Sequence, residues 1–200
     1  MRVVILDRDG VINWDSEDYI RTPEQWVPIP GSLEAIARLC RADYRVIVAT
    51  NQSGVGRGLF DIHTLNKIHT RMLEQVRYKG GEIDAIFFCP HHPDVGCECR
   101  KPRPGMLKEA ALRLKMSLTG VPVVGDSLRD IEAAVSVDAL PVLLNTGYRQ
   151  VGEAALAEVC GATGTRRVLK FDDLAGFADA LLGGNVDQRI QSLTQSEPPG

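Results

Sequence analysis

Two kinds of hydrophobic pattern alternate along the chain. Short runs with almost no polar interruption occur at Val3–Leu6, Arg45–Ala49, Ile83–Phe88, Val121–Val124 and Leu140–Leu144, with a weaker one at Arg167–Phe171. Such runs are the pattern of strands covered on both faces. Between them, apolar residues recur at helical spacing. Leu33, Ile36, Ala37 and Cys40 follow Ser32; Ile62, Leu65, Ile68, Met72 and Val76 follow Asp61 and stop at Gly80 and Gly81; Met106, Leu107, Ala110, Ala111 and Leu114 follow Pro104. Two more helices are expected over 128–135 and from Asp172 through Leu182. Ser32, Asp61 and Asp172 are suited to cap helix N-termini, and Pro104 to a first helical turn. The alternation predicts an α/β fold: a single doubly wound, Rossmann-like parallel sheet with helices on both faces and no inserted cap domain. Residues 1–182 form the expected domain, and 183–200 read as a flexible tail without core residues. Val11 to Gly31 has no period and carries Pro23, Pro28 and Pro30, so an ordered loop is expected there.

The strand ends are where the sequence turns polar. The first strand delivers Asp7 and Asp9, two positions apart and followed by Gly10, which suits a divalent cation. The second runs into Thr50-Asn-Gln-Ser-Gly-Val-Gly-Arg-Gly58, whose glycines and hydroxyls are the ingredients of an anion cradle. The third leads, through a cysteine-rich loop, to Arg100 and Lys101. The fourth ends at Gly125-Asp126-Ser127, with Asp130 one helical turn on. In a doubly wound sheet ligands bind at the carboxyl edge, so four polar strand ends define one site.

Five cysteines are present, and three of them share the loop after the third strand. Cys89, His91, Cys97 and Cys99 follow the spacing C-x-H-x5-C-x-C, enough to close a tetrahedral zinc site without an open position. His92 competes with His91 for the fourth place; His91 is preferred because His92 precedes Pro93. Such a metal would give shape to a loop that has almost no apolar residues, and would position Arg100 and Lys101. His63 and His69 have no metal-type partner in the sequence and read as surface or boundary residues; Cys40 reads as core.

At 200 residues and 44% hydrophobic, the chain suits one core. A net charge of -3 argues against a nucleic-acid surface. No N-terminal apolar run is long enough for a signal peptide or a membrane span. The expectation is a cytoplasmic monomer with a small-molecule substrate and neither nucleic-acid nor membrane partners.

The order D-x-D-G, strand-end Thr, Lys, then G-D-x-x-x-D resembles the haloacid dehalogenase superfamily of aspartate-nucleophile phosphatases, over roughly Arg2 to Val142. The resemblance implies that Asp7 is the nucleophile and Asp9 the general acid and base. It implies Mg²⁺ on Asp7, the backbone carbonyl of Asp9 and Asp126, and phosphoryl binding by Thr50, the amide of Asn51 and Lys101. Asp130 is expected to orient Lys101 or a metal-bound water. Within the superfamily, Leu6–Asn13, Thr50–Gly54 with Arg57 and Gly58, and the loop from Cys89 to Pro102 are similar to phosphatases of a heptose bisphosphate. That similarity places the substrate's distal phosphate on Arg100 and the sugar among Asp15, Tyr19, Asn51, Gln52 and Ser53. The five residues between His91 and Cys97 are fewer than expected of enzymes preferring the β-anomer, which leaves the anomer open. A histidinol-phosphate phosphatase is the nearest alternative, followed by a DNA 3′-phosphatase and a non-catalytic zinc-stabilised binding module.

Overall fold

A computed structural model describes residues 1–147, 151–163 and 168–186. Six strands, β1 (Arg2–Leu6), β2 (Tyr44–Asn51), β3 (Ala85–Cys89), β4 (Pro122–Gly125), β5 (Leu140–Leu144) and β6 (Leu169–Phe171), form one sheet in the order β3-β2-β1-β4-β5-β6. Every pairing is parallel. The order reverses direction at β1, and the crevice for a ligand in such a sheet lies beyond the carboxyl ends of β1 and its neighbours.

β1 is central because its side chains can be buried on both faces. Val4, Ile5 and Leu6 are wholly buried, each contributing about 1.5–3 kcal/mol relative to exposure. Val4 and Leu6 join the core under α1 (Ser32–Arg41), α3 (Ile62–Tyr78) and α7 (Leu174–Leu182). Val3 and Ile5 join the opposite core under α4 (Gly105–Leu114) and α5 (Leu128–Val135). The remaining helices are the single turn α2 (Ser53–Gly56) and α6 (Glu153–Thr163). No helix among the described residues is long and apolar enough to cross a membrane.

Several local expectations are corrected. Ser32 is the first helical residue rather than the cap; Gly31 occupies the cap with φ 83, and the Ser32 hydroxyl donates to the Ile12 carbonyl at 2.7 Å. Asp173, not Asp172, caps α7 by accepting from the Gly176 amide. α6 was not expected at all. The weak sixth run begins at Leu169; Arg167 lies outside the described residues. Val186 is 5% exposed and packs into the core, so core residues continue beyond Gly183; residues 187–200 lie outside the described part. His69, expected near the surface, is 5% exposed.

The loop from Val11 to Gly31 is anchored by burial. Val11, Ile12, Ile20, Trp26 and Ile29 all enter the core, and Trp26 is 1% exposed. Its Nε1–H donates to Asn13 Oδ1 at 2.8 Å, so the loop is tied to the segment that follows β1.

Phe177 is fully buried and meets Phe171 edge to face, with centroids 5.5 Å apart. Phe177→Ala is expected to lower unfolding stability by about 3–5 kcal/mol through the cavity it leaves. Urea denaturation measures this; a loss below about 1 kcal/mol would contradict the packing described.

Candidate active site

Asp7 stands one residue beyond β1. Its amide donates to the Val124 carbonyl at 2.8 Å, which extends the β1–β4 pairing and fixes the carboxyl at the sheet edge. One carboxylate oxygen accepts from the Arg8 amide at 2.6 Å, and the other lies 2.7 Å from Lys101 Nζ. Lys101 is 3% exposed and has a second carboxylate, Asp130, at 2.5 Å and the Ala49 carbonyl at 2.8 Å. Three acceptors match the three donors of an ammonium. Asp130 is held in turn by a capping box, accepting from the Ser127 amide and hydroxyl.

Asp126 completes the cluster from the end of β4. Ligand oxygens of Asp7, Asp126 and Asp130 lie within 4.8 Å of one another. Gly10 makes the approach possible: φ is +73, and a Cβ there would run into the Asp126 carboxyl. Burial raises Asp7 to about 7, with Asp130 and Asp9 adding to the rise and Lys101 opposing it. Burial, then Asp130 and Asp7, raise Asp126 to about 8. Burial acts against the charged forms of Asp130 and Lys101 as well, but their mutual attraction prevails: Asp130 is lowered and Lys101, with help from Asp7, raised. One ammonium thus faces three carboxyls, and the two with raised pKa values are the ones a divalent cation would stabilise as carboxylates. The all-oxygen donor set fits a hard cation.

Asp9 is turned to a different set of partners. The Arg8 guanidinium donates to both its oxygens at 2.9–3.0 Å, Asn13 Nδ2 donates at 2.9 Å, and Gln52 Nε2 at 2.8 Å. Arg8 is 1% exposed and pinned inside.

Thr50 is buried and its hydroxyl also accepts from Gln52 Nε2, at 3.0 Å. Asn51 uses its side chain twice on the backbone of Lys101, accepting from its amide and donating to its carbonyl, both at 3.0 Å. These bonds commit the Asn51 and Gln52 amides to holding the site, a use the expectation of sugar contacts did not include. Ser53 is 6% exposed at the start of α2.

A cleft of about 370 Å³ opens over the cluster, lined by Asp7, Asp9, Asp15, Tyr19, Thr50–Ser53, Arg100, Lys101, Asp126 and Asp130. Tyr19 sits at φ 62, a left-handed conformation uncommon for a bulky residue and a mark of local strain. Burial, followed by the Asp9 charge, raises the Asp15 carboxyl. Arg129, which the sequence reading missed, also lines the cleft; its signal was its place one turn from Asp126, as i+3. No ion pair is recorded for Arg100 or Arg129 among the described residues, and Arg100 Nη1 is buried without a partner.

The cysteine loop gathers Cys89, His91, Cys97 and Cys99, with ligand atoms within 4.8 Å. The contacts Cys89–Cys97 and Cys97–Cys99 measure 3.5 Å, and His91 Nδ1 lies 3.6 Å from Cys89 and 3.3 Å from Cys99. Tetrahedral zinc with bonds near 2.3 Å to sulfur sets sulfur atoms about 3.8 Å apart, so the donor set and spacing fit. Burial and the neighbouring Cys89 and Cys97 push Cys99 up to about 12, a cost that a bound cation would remove. His92 instead caps the short turn at Pro93–Val95 and faces Asp94.

A doubly wound sheet with a strand-end Asp beside a buried Lys and two further acids defines a haloacid dehalogenase-like hydrolase. Two family models agree: one described as HAD-hydrolase-like matches residues 98–168, and the polynucleotide kinase 3 phosphatase model matches residues 3–129. D-glycero-beta-D-manno-heptose-1,7-bisphosphate 7-phosphatases from Bordetella bronchiseptica and Pseudomonas aeruginosa are 51% and 52% identical over 182 residues. The alignments cover 91% and 90% of this chain and 98% and 97% of those relatives. The crystal structure of the D,D-heptose 1,7-bisphosphate phosphatase of B. bronchiseptica with magnesium and phosphate is similar, at TM-score 0.83 and 48% identity over 92% of this chain and 99% of that one. The chain belongs to this family of phosphatases within the haloacid dehalogenase-like hydrolases.

The raised acids have a consequence for stability. A carboxyl whose folded pKa lies above its unfolded value holds a proton in the native state that it has lost in the unfolded one. Its stabilising contribution is present below about pH 4 and is lost as pH rises toward the folded pKa. With Asp7 near 7 and Asp126 near 8, protein free of divalent cations is expected to lose on the order of 2–4 kcal/mol for each of the two groups between pH 5 and pH 8. Urea unfolding at both values checks this, and stability that rises over the interval would refute the electrostatics given.

Proposed function

We propose that this protein is a Mg²⁺-dependent phosphatase that removes the 7-phosphate of D-glycero-D-manno-heptose 1,7-bisphosphate, a lipopolysaccharide precursor, through an aspartyl-phosphate at Asp7. The observation that carries the reading is the 2.7 Å pairing of Asp7 with Lys101 inside the acid cluster, in a chain half identical to relatives named for that reaction. Asp7 attacks phosphorus, the bond from phosphorus to the sugar oxygen breaks, and Asp9 gives that oxygen a proton. Water then attacks the phosphorus, returns a proton to Asp9 and frees Asp7. Mg²⁺, held by Asp7, the Asp9 carbonyl and Asp126, supplies the positive charge that lets an anionic nucleophile meet an anionic phosphate. Thr50, the Asn51 amide and Lys101 hold the transferring oxygens, and Asp130 orients Lys101.

Arg100 receives the distal phosphate, with Arg129 lining the same cleft; two guanidinium groups without ion-pair partners among the described residues suit a second anion. Asp15, Tyr19 and Ser53 face the sugar. Zn²⁺ on Cys89, His91, Cys97 and Cys99 is structural and supports Arg100 and Lys101. The relatives' names favour the beta-anomer. We read the protein as a cytoplasmic monomer, without nucleic-acid or membrane partners.

Comparison of kcat/KM for both heptose bisphosphate anomers, histidinol phosphate and a 3′-phosphorylated oligonucleotide tests the assignment; a tenfold preference for either of the last two would overturn it. Asp7→Asn is expected to lower turnover by about a thousandfold or more, and retained activity would remove Asp7 as nucleophile. Cys97→Ser is expected to lower kcat/KM about tenfold together with loss of one equivalent of bound zinc by elemental analysis. Full activity in a zinc-free variant would show that the loop does not support catalysis.

A further inference from the structure

His69 is a buried imidazole that no step above uses. It lies on α3, on the same stripe as Leu65, Ile68 and Met72, all wholly buried, and its ring meets Phe88 edge to face at 5.7 Å. Phe88 pairs in register with Thr50, so the ring sits against the carboxyl end of β2 and β3. Arg8 is buried close enough for its charge to act on that ring. It continues the alternation of Val4 and Leu6, which face α1 and α3. Burial, and after it the Arg8 charge, lower His69 to about 3 against the opposing pull of Asp9, so the ring is neutral.

Two buried nitrogens here have no hydrogen-bond partner among the described residues, Arg8 Nη1 and His69 Nε2. They are complementary. A guanidinium nitrogen can only donate, and the free nitrogen of a neutral imidazole can accept. Orphaned polar atoms in a packed interior are costly, and a pair of opposite kind in one layer calls for a reason.

Asp9 supplies one. As a carboxylate it is held by Arg8 through both oxygens. To deliver a proton to a leaving oxygen it must release at least one of those donors, and the N–H set free on Arg8, a side chain 1% exposed, then needs another acceptor. We infer that His69 is a positioning residue for the general acid: its free nitrogen accepts the Arg8 N–H when Asp9 releases the guanidinium. The exchange moves hydrogen bonds only. The proton on Asp9 still passes to the leaving oxygen, and Arg8 stays charged. This rests on the reading of Asp9 as general acid, under which only leaving groups that need a proton depend on His69.

The test compares kcat/KM, which reports the step that expels the leaving group, for an alkyl phosphate and for 4-nitrophenyl phosphate, whose leaving group needs no proton. His69→Leu in the full-length Mg²⁺-loaded protein is expected to lose about 10–100-fold on the alkyl ester and less than about threefold on the aryl ester. His69→Gln, which restores an acceptor, is expected to recover the alkyl ester to within about threefold of the parent. If His69→Leu fails to fold by circular dichroism, His69→Met, similar in volume and a poor acceptor, replaces it. Equal losses on both esters, or no loss on either, overturn the proposal. Asp9→Asn serves as the control: if it does not discriminate between the esters, the general-acid reading itself fails, whatever His69 does.

Discussion

A single buried ammonium balances the acids of this protein. Lys101 lies between Asp7 and Asp130 and touches a strand carbonyl as well. Removing two carboxylates and an ammonium from water is expensive, and an arrangement of this kind persists only where every donor and acceptor is matched. Here the match draws on distant parts of the chain: β1 for Asp7, β2 for the Ala49 carbonyl, the loop after β3 for Lys101 and the first turn of α5 for Asp130. Burial without Lys101 would leave three acids to repel one another at the sheet edge. With it, the surplus negative charge is confined to Asp7 and Asp126, the side on which a cation is accommodated.

Around that charge balance two side chains act as clamps, one from the last residue of β2 and one from the residue after it. Asn51 grips the Lys101 backbone and Gln52 bridges Asp9 to Thr50. Trp26, through Asn13, carries the restraint out to the loop that forms one wall of the cleft. Asp7 and Asp9, chemically alike and two residues apart, are thereby given different neighbours: an ammonium for one, a guanidinium and two amides for the other. Different neighbours are how two like groups take different roles.

The strand ends were legible in the sequence because burial on both faces forces an apolar run, and the polar residue that breaks it is conspicuous. Asp7, Thr50 and Asp126 stood out for that reason. The zinc-type cluster was legible because its ligands lie within eleven positions. What the sequence did not disclose depends on distance in space. Nothing local says that Gln52 would spend its amide on Asp9, or that Asn51 would hold Lys101 fifty residues away. α6 escaped because Glu153–Thr163 is largely alanine and small apolar residues, with no polar face to produce a stripe. His69 could have been found: four residues after Leu65 and three before Met72, it occupies a core position of α3, and only its polarity argued for the surface.

Gly56 of α2 lies so near the backbone of Pro90, His91 and His92 that a Cβ would overlap it. The Gly-rich turn and the cysteine loop are therefore packed as one unit. Insertions would have to spare that contact and the four clustered Cys and His positions. The segment from Pro93 to Gly96, where Val95 is 62% exposed, is the part of that unit with room to lengthen. Changes of length among chains of this architecture should accumulate there, while the flanking residues vary little.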